Sequence, residues 1–269
     1  MRPARATGAP ATWRRLALRV RFGTVLVDAV RFEEALLRIE ALVDAQAGGV
    51  VFTPNVDHVV VAEREPRLRA AYARCNLSLA DGQPLVWTSG LLGLQLPEKV
   101  SGSDVLRPVF ALAARRKYRV YLLGAAPGVA EESARRLKEE YGLEVCGFDA
   151  PTVRLTPEPD EAAVVARVRA AKPDLLLVFL GAPKAEVFLD RIRDELGPVV
   201  SVSLGASLDF YVGRVRRAPR WMQRTGLEWL YRLLQEPRRL AKRYLVDDVY
   251  FLAILLRTLR LPRAERVLP

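Results

Sequence analysis

The feature that most limits this fold is a hydrophobic pattern that keeps changing period. Short apolar runs at residues 49–53, 77–80, 119–123, 143–148, 174–180 and 198–204 read as buried strands. Amphipathic stretches of helical period separate them. They cover Phe32–Ala45, Val56–Arg64, Pro66–Arg74, a helix after Gly82, then residues 104–116, 129–140, 158–171 and a stretch from Lys184 to about Glu195. Strands spaced by helices in this way predict an α/β chain with a parallel sheet covered on both faces. Residues 17–28 read separately, as two short strands turning at Gly23.

With 269 residues, 51% of them hydrophobic, the chain can bury one large core, or a core with an appendage. Cys75 and Cys146 stand alone, which predicts reduced thiols and excludes a disulfide or zinc framework. Residues 1–15 are rich in Arg, Ala and Pro and lack the apolar segment of a signal peptide, so a disordered lead-in is expected there. A membrane-spanning helix needs about 18–20 apolar residues. The longest late candidate, residues 249–256, has eight.

Charge is concentrated in one place. Residues 214–244 hold ten Lys/Arg against two Glu, or +8 of the chain's formal +11, with Trp221, Trp229, Tyr231 and Tyr244 among the cations. Arg232, Arg239 and Arg243 are spaced by seven and four, the spacing of one helix face, although Pro237 can break or restart that helix. Three readings fit the segment. It is a solvated charged face, a nucleic-acid surface working through phosphate contacts and stacking, or an interfacial arm for anionic membrane or a lipid diphosphate.

The polar residues collect at predicted strand ends. Thr53 and Asn55, Asp81, Gly124, Gly181 with Lys184 and Glu186, and Gly205 with Asp209 all follow strands, at the edge where open α/β sheets bind ligands. The turns Gly124-Ala-Ala-Pro-Gly128 and Gly181-Ala-Pro-Lys184 each open a helix. They read either as ordinary turns or as sites where free N–H groups meet a phosphate. Asp81-Gly82 is a turn or helix cap in one reading. In the other it is a carboxylate whose pKa rises among apolar strands until it can act as a base near neutral pH. Ser103 and Asp104 read first as caps of the next helix and second as substrate contacts. His58 is the chain's single histidine, and nothing around it in sequence looks like a triad. No Asp-x-Asp occurs, so a metal-bound nucleotide diphosphate has no evident ligand set.

Taken together, Thr53-Pro-Asn55, Ala80-Asp-Gly82, Val100-Ser-Gly-Ser-Asp104, Leu122-Leu-Gly124, Gly181-Ala-Pro-Lys184, Asp209-Phe210, Arg217-Ala-Pro219 and the run Glu228-Trp-Leu-Tyr-Arg-Leu-Leu-Gln-Glu-Pro-Arg238 resemble the WecG/TagA/CpsF glycosyltransferase family, in unbroken order from about residue 18 to 257. The resemblance implies a Rossmann-like α/β domain over 16–212 and a basic helical appendage over 213–269. It implies inverting transfer of N-acetylmannosamine or a related sugar from a UDP-sugar to a sugar on a polyprenyl diphosphate. That reaction would serve wall teichoic acid or other surface polysaccharide at the inner membrane face, with no metal and no cofactor.

The same resemblance makes Asp81 the expected base, with Thr53 and Asn55 positioning substrate. Gly102, Asp104, Gly124, Gly181, Lys184, Glu186, Gly205 and Asp209 would line the substrate site, and Arg232, Arg239 and Arg243 would take the lipid diphosphate. Ala185 stands where the family's Pro-Lys-Gln-Glu motif has Gln, which leaves the donor sugar open. The family is also thought to alternate between homo-oligomers and membrane-bound monomers. A nucleic-acid-binding α/β protein is the alternative; it accounts for the basic segment but not for the ordered strand-end residues. A dinucleotide oxidoreductase lacks its glycine fingerprint and acidic ribose residue.

Overall fold

The computed structural model describes residues 18–269, the side chain of Arg239 excepted, so the expected lead-in at 1–15 lies outside the described residues. Strands β1 (Arg19–Phe22) and β2 (Val25–Asp28) form the predicted hairpin through Gly23. Gly23 has φ +58°, and a side chain there would collide with Glu63 and Ile254. Helix α1 (Phe32–Ala45) leads to β3 (Gly49–Phe52), then α2 (Val56–Arg64), α3 (Pro66–Arg74) and the two-residue β4 (Leu77–Ser78). After α4 (Gln83–Ser89) and a 3-10 turn, α5 (Gly102–Arg116) begins the regular alternation. It continues as β5 (Val120–Gly124), α6 (Val129–Tyr141), β6 (Val145–Asp149), α7 (Glu161–Ala171), β7 (Leu175–Phe179), α8 (Lys184–Leu196) and β8 (Val200–Ser203).

Six strands pair in the order β4-β3-β8-β7-β5-β6, and every pairing is parallel. The reason is visible in β7. Leu176 and Val178 enter one apolar core while Leu175, Leu177 and Phe179 enter the other, so both faces of the strand need covering. Helices supply that cover on both sides, giving the Rossmann-like arrangement. Only β6, at one edge, leaves much of its length accessible.

Beyond the sheet the chain is helical: α9 (Ser207–Tyr211), α10 (Arg220–Arg224), α11 (Glu228–Gln235), α12 (Pro237–Lys242), a π-helical turn at Arg243–Asp247, α13 (Tyr250–Leu259) and α14 (Arg263–Arg266). Pro237 starts α12 instead of interrupting a longer helix. Arg232, Arg239 and Arg243 therefore sit on three successive elements, and the one-helix-face reading of their spacing fails. Strand β9 (Val267–Leu268) then pairs antiparallel with β1, completing a separate three-stranded sheet. Two residues are too short to carry a period, so β9 has no sequence signature. Helix α13 is also deeper than its surroundings suggest. Phe251, Ile254 and Leu255 join the core that holds Phe22 and Phe52, with Phe251 stacked on Phe22 at 6.1 Å.

Candidate active site

At the carboxyl ends of β3 and β4 the chain leaves a cavity of about 370 Å³, roofed by α11, the π-helical turn and the start of α13. Asp81 stands in its wall. The residue is fixed by its backbone: its N–H donates to the Pro54 carbonyl at 2.8 Å, while the neighbouring Ala80 carbonyl accepts from Val100 N–H at 2.8 Å. Gly82 then turns the chain into α4 with φ +137°, a conformation that favours glycine. Burial raises the Asp81 carboxyl to about 6, Lys99 and His58 pull it back, and Glu228 and Asp104 push it further up. Such a group is mostly ionised at neutral pH yet strong enough to accept a hydroxyl proton.

Next to Asp81 is a square of four charges. Lys99 Nζ lies 3.1 Å from Asp104 and 3.6 Å from Glu228, and Arg217 lies 2.7 Å from Asp104 and 3.3 Å from Glu228. Ser101 Oγ donates to Asp104 at 2.6 Å and also caps α5. Burial raises the Asp104 carboxyl, but Lys99, Ser101 and Arg217 outweigh it and hold the group below the usual range. Asp104 thus fastens the helical roof to the α5 N-terminus. It faces a smaller hollow shared with Lys99, Arg220 and Arg224.

On the β3 side, Asn55 caps α2 and lines the cavity. Behind it runs a buried polar chain. Asn55 Oδ1 lies 2.7 Å from His58 Nδ1, His58 Nε2 lies 3.7 Å from Glu186 Oε1, and Ser203 Oγ donates to that same Glu186 oxygen at 2.9 Å. Burial raises the Glu186 carboxyl, yet His58, a backbone N–H and Ser203 together leave it below its ordinary value. Thr53 is buried as well, and its hydroxyl donates to the Ser203 carbonyl at 3.2 Å.

Two of the three expected arginines reach the cavity. Arg232 stands over the Phe210 ring at 5.6 Å. Arg243 pairs with Asp57 at 3.2 Å and approaches Asn55 Oδ1 at 3.5 Å. Asp248 lines the same wall, its carboxyl raised to about 6 by burial first and by Asp57 second. The side chain of Arg239 lies outside what the structure describes.

The remaining expected residues fall elsewhere along the strand ends. Gly102 is buried, with Leu204 so close that an added Cβ would sit 3.2 Å from its backbone; the glycine lets α5 approach the β8 turn. Gly124, Gly181, Lys184 and Gly205 lie at the ends of β5, β7 and β8, outside the walls of this cavity. Asp209 is also outside it, its carboxyl raised by burial and lowered by Arg214. Sequence reasoning missed Asp57, Lys99, Glu228 and Asp248. The pairs Lys99–Glu228, Asp57–Arg243 and Asp57–Asp248 each bring together residues more than a hundred apart in the chain, and no spacing rule joins them. Among the described residues no three His, Cys, Asp or Glu side chains gather as a metal set, and no helix is long and apolar enough to cross a membrane.

A parallel α/β sheet whose strand ends hold a cavity lined by Asp81, Arg232 and Arg243 is an arrangement compatible with a group-transfer enzyme. The particular kind is a glycosyltransferase: the chain belongs to the glycosyl transferase WecG/TagA/CpsF family, whose model matches residues 20–265. It is 33% identical over 213 residues to the N-acetylglucosaminyldiphosphoundecaprenol N-acetyl-beta-D-mannosaminyltransferase of Bacillus spizizenii, a match covering 79% of this chain and 80% of that one. The protein of the same name from Bacillus subtilis is 32% identical over 214 residues, covering 79% and 81%.

Proposed function

We propose that this chain transfers N-acetylmannosamine, or a closely related sugar, from its UDP derivative to N-acetylglucosamine on a polyprenyl diphosphate, for cell-surface polysaccharide. Asp81 takes the proton from the acceptor hydroxyl. That oxygen attacks the anomeric carbon from the face opposite UDP, the bond to the UDP oxygen breaks, and the configuration inverts. Arg232 and Arg243 meet diphosphate charge. Asn55 orders the substrate beside the base, with Thr53 behind it and bonded to the Ser203 carbonyl. The turns at Gly124, Gly181 and Gly205, with Lys184 and Asp209, serve the nucleotide.

The observation that carries this reading is Asp81 in the wall of a strand-end cavity with Arg232 and Arg243 over it; burial pushes its carboxyl up. A membrane-facing role draws support from Leu245, Val246 and Leu256, all more than half exposed just beyond the basic run at 214–244. We place the enzyme at the inner surface of the cell membrane, where a polyprenyl diphosphate presents its sugar.

The test is transfer from UDP-N-acetylmannosamine to a short-chain polyprenyl-diphosphate-N-acetylglucosamine, comparing wild type with Asp81→Asn. Wild-type transfer with a mutant loss of about 100-fold or more is the expected result. Transfer that survives the substitution removes Asp81 as the base. No wild-type transfer, despite thermal protection by UDP, removes the sugar assignment and directs attention to Ala185.

A further inference from the structure

We infer that Glu186 and His58 are positioning residues that turn the Asn55 amide so that its NH2 faces the cleft beside Asp81. Asn55 is then a donor to an oxygen acceptor on the substrate. This inference rests on the transferase reading for its substrate, and on the local geometry for everything else.

The geometry fixes the amide. Asn55 Oδ1 has three nitrogens around it: His58 backbone N–H at 3.3 Å, His58 Nδ1 at 2.7 Å and Arg243 Nη2 at 3.5 Å. The first is the capping bond that α2 needs at its N-terminus. The third comes from a cation with no acceptor atom. Rotating the amide by a half-turn would set its NH2 against both, donor against donor. With the oxygen in place, the 2.7 Å contact requires a proton on His58 Nδ1. The Asn55 backbone N–H also points at Nδ1, but from 3.4 Å, and is the weaker claim.

Glu186 completes the device from behind. Its Oε1 stands 3.7 Å from Nε2, so the ring has an oxygen on each side, an arrangement that suits a ring protonated on both nitrogens. Its Oε2 is buried with no hydrogen-bond partner among the described residues. A carboxylate buried with one oxygen unmatched costs stability, so packing does not explain it, whereas holding the His58 ring does. Since Oδ1 is fully engaged, the amide has only N–H groups left for the cleft. Asn55, Asp81 and Gly82 line the same cavity, and a Cβ added at Gly82 would come 3.9 Å from Asn55 Cβ, so the same part of the substrate meets Asn55 and the base. The recognised atom is a sugar or phosphate oxygen.

The experiment uses the full chain labelled with 15N-histidine, which gives one set of ring signals because His58 is the only histidine. A proton on Nδ1 is expected; a proton-free Nδ1 overturns the inference. Alongside, Asn55→Asp keeps the capping oxygen and replaces the NH2 with an acceptor. Its thermal midpoint should match or exceed wild type while kcat/KM falls about 10–100-fold, the loss of one or two substrate hydrogen bonds. Asn55→Ala should lose thermal stability. If Asn55→Asp is as unstable as Asn55→Ala, or is as active as wild type, the amide does not face the way we infer.

Glu186→Gln should move the ring signals and raise KM several-fold at nearly constant kcat; unchanged signals and KM overturn its positioning role. Separate KM values for the UDP-sugar and the lipid acceptor tell which substrate carries the oxygen. A wild type without transferase activity would sink the proposed function alone, because the ring proton and the thermal midpoints still decide the orientation.

Discussion

The sheet and the roof over its strand ends are built on opposite principles. In the sheet, β5, β7 and β8 are buried along their whole length and apolar cores lie on both faces. In the roof, α11 has no fully buried residue, and Leu234 is 72% exposed. Ion pairs hold the roof down: Arg217 and Lys99 with Asp104 and Glu228, Arg243 with Asp57, Arg64 with Asp247. Apolar burial is indifferent to salt, whereas partly exposed ion pairs are screened by it. The two regions should therefore come apart under different conditions.

The largest effect tests where the boundary runs. Phe251→Ala removes a core side chain from α13 and should cost about 3–5 kcal/mol of global stability, read by denaturant unfolding and little changed by salt. A loss under 1 kcal/mol would assign α13 to the roof instead. Next, Arg217→Met removes one corner of the four-charge square, leaving Lys99 to hold Asp104 and Glu228. Transfer to the lipid acceptor should drop roughly tenfold, about the loss of one charge-assisted contact, while the thermal midpoint barely moves. Wild type in high salt should approach the mutant; if salt leaves wild type unaffected, charge is not what fastens the roof.

Smaller effects probe Asp81, where roof and sheet meet. Lys99 lowers the Asp81 carboxyl, so Lys99→Met should move the acid limb of the pH–rate profile upward from about 6. Activity should fall most below neutral pH and little at pH 8. The smallest change concerns stability. Asp81 is raised in the folded protein, so folding binds its proton between the ordinary value of 3.8 and about 6, and stability falls as pH rises through that window. Asp81→Asn should then melt slightly higher than wild type at pH 7 and equal to it at pH 3. A mutant less stable at pH 7 would mean the carboxylate helps to hold the fold.

Much of the sheet was legible because parallel strands buried on both faces leave continuous apolar runs, and each helix shows its period. Asp81 could be found because a strand, an acid and a glycine occur in that order. Its raised carboxyl followed from the apolar strands around it. What was hidden depended on distant meetings. Arg243 reads as a free cation for diphosphate, yet it lies against Asp57, more than 180 residues away in the chain. Ser103 and Asp104 read as caps or substrate contacts, but Ser101 caps α5, and the ties of Asp104 to Lys99 and Arg217 become visible only once the roof folds back. Glu186 reads as a strand-end polar residue facing substrate, but α8 turns it inward to His58 and Ser203. Nothing in a linear pattern distinguishes the two sides of that helix's first turn.

The position of α13 has a mechanical consequence. Its Phe251, Ile254 and Leu255 are rooted in the core, while Val249 and Leu252 from the same stretch face the cavity. One edge of the roof is thus a pivot and the opposite edge, at Arg217 and Glu228, a latch. Loss of the ion pairs would therefore free the latched edge first, while the α13 edge stays packed in the core.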